Sequence, residues 1–133
     1  MAGKLSPSAQ QQIAQLELFV PRVARLHTLV ETYAVTKGNT DNVTGQVKRL
    51  ADQLKLTFMT AGLDGLSQIC GIIALSAARA GNQGAKVRTL REHVGSLKFQ
   101  LDLSIRSITR DDIEAQARKK KEEEARSNES SAG

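Results

Sequence analysis

At 133 residues the chain is long enough to bury one hydrophobic core and too short for two. One cysteine excludes an internal disulfide and suits a reducing compartment, and two prolines, both near the N-terminus, favour an all-helical fold. The net charge of +5 is uneven: residues 9–110 carry 13 Lys and Arg against 7 Asp and Glu, while residues 111–133 carry 5 against 7. The expected folded part is therefore the basic part, which favours an acidic partner, protein or nucleic acid. No apolar run approaches the roughly 18 residues of a membrane helix. The opening MAGKLSPSAQ has no signal-peptide apolar region, so the chain reads as cytoplasmic, with no membrane partner.

Residues 1–5 are expected to be disordered. The first helix opens at Ser6 as N-cap with Pro7 at the first helical position, where the missing N–H costs nothing. Its apolar stripe is Ile13, Leu16, Val20, Val23, Leu26, Val30 and Ala34. Pro21 interrupts that stripe and predicts a kink or a restart. Thr36 to Asn42 is rich in turn residues and reads as a loop.

A second helix is expected over about 42–61, with Val43, Val47, Leu50, Leu54, Phe58 and Ala61 facing the core. Gly62 can end it and Asp64 can cap the next. The third helix, to about Ala80, packs Leu66, Ile69, Cys70, Ile73 and Ala77. Ile72 and Leu75 make it apolar on more than one side, which predicts the most enclosed element.

Gly81 to Gly84 is a turn of the length that joins antiparallel neighbours. The fourth helix carries Val87, Leu90, Val94, Leu97, Leu101, Ile105 and Ile108. Thr109 is placed to cap a separate polar helical extension over 111–126, and residues 127–133 read as a disordered tail. Together these elements predict an all-α chain: an antiparallel four-helix bundle over residues 6–110.

The most informative stretch is Ala51-Asp52-Gln53-Leu54-Lys55-Leu56-Thr57, followed by Gly62, Leu66 and Cys70. It resembles the histidine phosphotransfer (HPt) family of two-component signalling, whose core reads A-H-x-L-K-G-S, then a glycine, a leucine and often a cysteine. Leu54, Lys55, Gly62, Leu66 and Cys70 fall at the family's offsets. Two positions depart. Asp52 stands where the phosphorylated histidine belongs, and Leu56 stands where a glycine makes room for the partner.

The resemblance implies an HPt-type bundle whose exposed face meets a receiver domain or a histidine kinase. In the family a lysine at the position of Lys55 steadies the phosphate. Asp52 cannot replace the histidine here, because a lone carboxylate on a helix face lacks the clustered acidic Mg²⁺ pocket with which receivers accept phosphate. The chain looks like a phosphotransfer domain that has kept the frame and lost the chemistry.

On a helical wheel with Leu50, Leu54 and Phe58 inward, Asp52 points outward and shares its face with Lys48, Lys55, Leu56 and Met59. Leu56 and Met59 would form a small exposed apolar patch, suited to docking. Those five residues are the expected partner-binding surface. Cys70, on the apolar stripe, reads as a buried hydrophobe and not a nucleophile. No cofactor or metal ligand set is expected.

Two further readings accompany this one. The basic residues Lys48, Arg49, Lys55, Arg79, Lys86, Arg88 and Arg91 admit a nucleic-acid-binding helical protein, although aromatic content is only 3% and no reading module is present. His27 or His93 could serve as a displaced phosphoacceptor, although neither sits in the family's register.

Overall fold

The computed structural model describes residues 4–132, with side chains as far as Glu129. Among the described residues every regular element is an α-helix: α1 (Pro7–Glu17), α2 (Val20–Val35), α3 (Asp41–Thr60), α4 (Asp64–Ala78) and α5 (Gln83–Ala132). None is long and apolar enough to cross a membrane. The chain divides into two compact units, one spanning Leu18–Asp102 and the other combining residues 4–17 with 103–132.

The 18–102 unit holds α2, α3, α4 and the opening of α5. Its core collects one apolar stripe from each: Val23, Leu26 and Val30; Val47, Leu54 and Phe58; Cys70 and Ile73; Leu90 and Leu97. Phe58 is wholly buried, with its ring centroid 4.5 Å from that of Phe19. α3 packs along α4 and, over a smaller area, against α2.

The punctuation is largely as the sequence dictates. α2 restarts at Val20 with Pro21 in its first turn, where proline lacks a hydrogen bond to lose. α3 ends in a Schellman motif: Gly62 adopts φ +77°, its N–H donates to Met59 O at 3.1 Å, and Leu63 N–H donates to Phe58 O at 2.8 Å. Asp64 does not cap α4. It is the first helical residue, where its charge still complements the positive end of the helix dipole. Asn82 Oδ1 accepts from Ala85 N–H and opens α5.

In the other unit, Ser6 caps α1 as expected, its Oγ accepting from Ala9 N–H at 3.2 Å. Ser6 also ties the chain end to the late part of α5: its N–H and Oγ donate to the two carboxylate oxygens of Asp112 at 2.9 and 2.6 Å. Gln116 Nε2 donates to the same carboxylate and to Lys4 O.

Several sequence expectations are corrected. α5 does not stop near Arg110 to be recapped by Thr109; it continues as one helix through 111–126 and on to Ala132, across most of the segment expected to be disordered. Thr109 Oγ1 donates to Ile105 O one turn back, as a mid-helix threonine does. Ala61 is exposed, and Leu50, Ile69, Ile105 and Ile108 are only half-buried. α4 is the most buried helix for its length, with seven of its 15 residues buried against five of 20 in α3 and four of 16 in α2, but Ile72 and Leu75 face solvent. Of the termini expected to be disordered, residues 1–3 and 133 lie outside the described residues.

Phe58→Ala should cost about 3–5 kcal/mol in urea unfolding. Gly62→Ala should cost about 1–2 kcal/mol, because a Cβ is strained at that φ. Leu56→Ala should stay within about 0.5 kcal/mol; a loss there matching Phe58 would place Leu56 in the core. The hydrogen bonds from Ser6, with a further one from Gln116, hold the Asp112 carboxyl below the usual carboxylate range. A depressed folded pKa contributes stability above the unfolded value of about 3.9 and loses it as pH falls through the lower folded one. Protection of the Ser6 amide from exchange should therefore persist above pH about 4 and vanish only in more acidic solution.

Candidate functional site

The face of α3 that carries Asp52 is set by what lies opposite. With Val47, Ala51, Leu54 and Phe58 all fully buried, the helix can present only one strip to solvent. That strip meets α4 along a groove of about 780 Å³. One wall is Lys48, Asp52, Lys55 and Met59 of α3; the other includes Gln68, Gly71, Ile72 and Leu75 of α4. Four of the five residues expected to bind a partner thus line one groove. Leu56, 63% exposed, lies on the same outward strip but outside the groove lining.

Apolar side chains dominate the exposed surface here. Met59 is 50% exposed, Ile72 43% and Leu75 65%. The α4 contribution escaped sequence reading. Gln68, Ile72 and Leu75 follow one another at i, i+4 and i+7, off the buried Leu66, Cys70, Ile73 and Ala77 stripe, and that spacing was the available signal. Apolar residues on two sides of a helix normally mean burial on both, so the spacing alone points to enclosure.

The polar groups are held in place. Lys48 Nζ donates to Asp52 Oδ2 at 2.8 Å, an i,i+4 pair on the helix surface. Lys55 is half-buried because its stem crosses toward α4 and lies over Gly71, where a Cβ would touch its Cδ and Cε at 3.6 Å. Beneath it, buried Ser67 donates its hydroxyl to Lys55 O at 3.0 Å and locks α4 to α3 at mid-groove. Asp64 sits at the groove's end. Among the described residues no three His, Cys, Asp or Glu converge as a metal site.

The histidines fall elsewhere. His27, on α2, is brought to Glu31, Arg91 and Lys98. Lys98 Nζ lies in hydrogen-bond contact with His27 Nδ1, and His27 Nε2 is 3.6 Å from Glu31 Oε1. His93 is a half-buried residue of α5. Cys70 is fully buried, and burial pushes its thiol up to about 12.

Compared with protein-family models, with curated proteins and with solved structures, the chain finds no match in any of the three.

Because the thiolate is the reactive species, Cys70 should resist aromatic disulfide reagents at pH 8 in the folded protein and react fully in denaturant. Rapid labelling without denaturant would mean that α4 opens.

Proposed function

We propose that this chain is a non-catalytic, HPt-like docking protein whose α3–α4 groove holds a receiver domain or kinase of a two-component system, as scaffold, adaptor or competitor. The supporting observation is the convergence of Lys48, Asp52, Lys55 and Met59 with the exposed Ile72 and Leu75 on one groove. In the HPt-type bundle implied by the resemblance, the same strip of the second bundle helix is the docking face.

Magnitudes assign the roles. Fully burying a Leu, Ile or Met side chain is worth about 1.5–3 kcal/mol. An exposed ion pair such as Lys48–Asp52 contributes about 0–1 kcal/mol. Leu56, Met59, Ile72 and Leu75 would therefore supply affinity, and the surrounding lysines would steer an acidic receiver. Phosphate relay is disfavoured at Asp52: its carboxylate is already bonded to Lys48 and repels an incoming phosphoryl group. Leu56 adds a side chain where the family keeps a glycine.

Nucleic-acid binding is the weaker reading, because several of its candidate cations are engaged. Lys48 bonds Asp52, and Lys86 donates to Arg79 O while lying over the Tyr33 ring.

The test is affinity capture from nuclease-treated lysate of the source organism at physiological salt, comparing wild type, Leu56→Glu and Ile72→Glu. Each variant should fold normally and lose a receiver or kinase that wild type retains. Recovery of only nucleic-acid-associated proteins, equal in all samples and shed by salt, would refute the docking reading.

A further inference from the structure

A second pocket, of about 250 Å³, lies between α2 and α5 within the 18–102 unit and is built differently from the groove. Val30 and Val94 contribute apolar lining, and both are buried. The polar lining is His27 and Glu31 from α2 with Arg91 and Lys98 from α5. Arg91 and Lys98 are one helical turn pair apart in register, i and i+7, so both address the same side of α5.

Hydrogen-bond accounting leaves an excess of donors. Arg91 uses Nε and one Nη2 hydrogen in a bidentate pair with Glu31, at 2.8 and 2.7 Å. A guanidinium has five N–H groups, so three remain. Lys98 has three and gives one to His27 Nδ1, so two remain. Among the lining residues one carboxylate, already forked by Arg91, stands against the guanidinium of Arg91 and the ammonium of Lys98.

Gly95 is the second observation. It lies mid-helix, where glycine costs about 1 kcal/mol relative to alanine. A Cβ built there would meet nothing within 4 Å, so packing does not demand its absence. Its effect is to leave room in the pocket between Arg91 and Lys98.

We propose that this pocket is a binding site for a tetrahedral oxyanion, a phosphate or sulfate group, held by Arg91 and Lys98 with His27 beside it. Planar guanidinium and ammonium donors on one concave surface are the usual apparatus for such a group. The volume admits the ion with some water and falls below the roughly 300 Å³ at which drug-sized ligands begin to fit. The site is independent of the α3–α4 groove and of any role in docking.

The test is an NMR titration of the full chain with sodium sulfate, replacing chloride at constant ionic strength. Saturable shifts are expected at the Gly95 amide and the His27 ring, with His93 unaffected. Lys98→Gln should weaken binding about tenfold, the scale of a lost charge-assisted hydrogen bond, and Glu31→Gln should tighten it. Lys37→Gln, which removes the same charge from the loop after α2, should leave it unchanged. Gly95→Leu raises helix propensity and fills the pocket, so it should abolish binding with the fold intact. Shifts that rise linearly, that His93 shares, or that survive Lys98→Gln and Gly95→Leu would overturn the proposal. Inorganic phosphate and O-phosphoserine then separate the sources: phosphate alone assigns a free ion, and both together assign the phosphoryl end of a larger molecule.

Discussion

The rotational setting of α3 about its own axis governs the rest of the 18–102 unit. Val43, Val47, Ala51, Leu54 and Phe58 occupy a single stripe, and four of the five are wholly inaccessible to water. Turning the helix by one residue, about 100°, would expose Phe58 and Leu54 and bury charged neighbours. Burying an unpaired charge costs several kcal/mol, and each exposed large apolar side chain forfeits about 1.5–3 kcal/mol. The helix therefore has one orientation, and Lys48, Asp52, Lys55 and Met59 face outward as a consequence. The Phe19–Phe58 ring contact and the Gly62 Schellman turn fix the lower half of the same helix, so the strip is presented at a defined height as well as a defined angle.

α4 completes the groove by a different logic. Its buried stripe uses small residues, Ala74, Ala77, Ser67 and Cys70, beside Leu66 and Ile73. Small side chains let α4 approach α3 closely enough for Ser67 to reach a carbonyl of α3 and for the Lys55 stem to lie over Gly71. The bulk that would otherwise fill the interface is displaced outward, onto Ile72 and Leu75. An apolar outer face on a closely packed helix carries a solubility cost with no packing return, and an occupant for the groove would remove it.

How far the sequence spoke depends on whether a signal is local. The α3 face was legible because Val43, Val47, Leu54 and Phe58 at helical spacing leave one solution for the rotation, although Ala51 and not Leu50 fills the core between them. The Ser6 cap, the restart at Pro21 and the stop at Gly62 were legible because each is written in the residue that makes it. The exposure of Ile72 and Leu75 was not, since it depends on what fails to pack against them. The continuity of α5 is hidden for another reason. Asp111 and Asp112 after Thr109 look like a new start, but no glycine or proline falls between Ser96 and Ala132 to enforce a stop. Glu114 with Arg118, and Glu122 with Arg126, stand at i,i+4 in the favourable order, so the polar stretch supports its own helix.

His27 shows why register alone does not settle a role. Its i,i+4 spacing to Glu31 is visible in the chain, and so is the i,i+7 spacing of Arg91 and Lys98, but only the fold sets the two pairs face to face. Once there, Glu31 cannot serve both partners equally. It forks onto Arg91 at 2.7 and 2.8 Å and leaves His27 Nε2 at 3.6 Å, so the guanidinium wins the carboxylate and the carboxyl is held below its ordinary range mainly by that bond. Lys98 is then left with a ring nitrogen of His27 as its partner. An ammonium bonded to an imidazole is a weaker arrangement than one bonded to an anion. An oxyanion entering over Gly95 would give Lys98 the charged acceptor that the protein itself withholds.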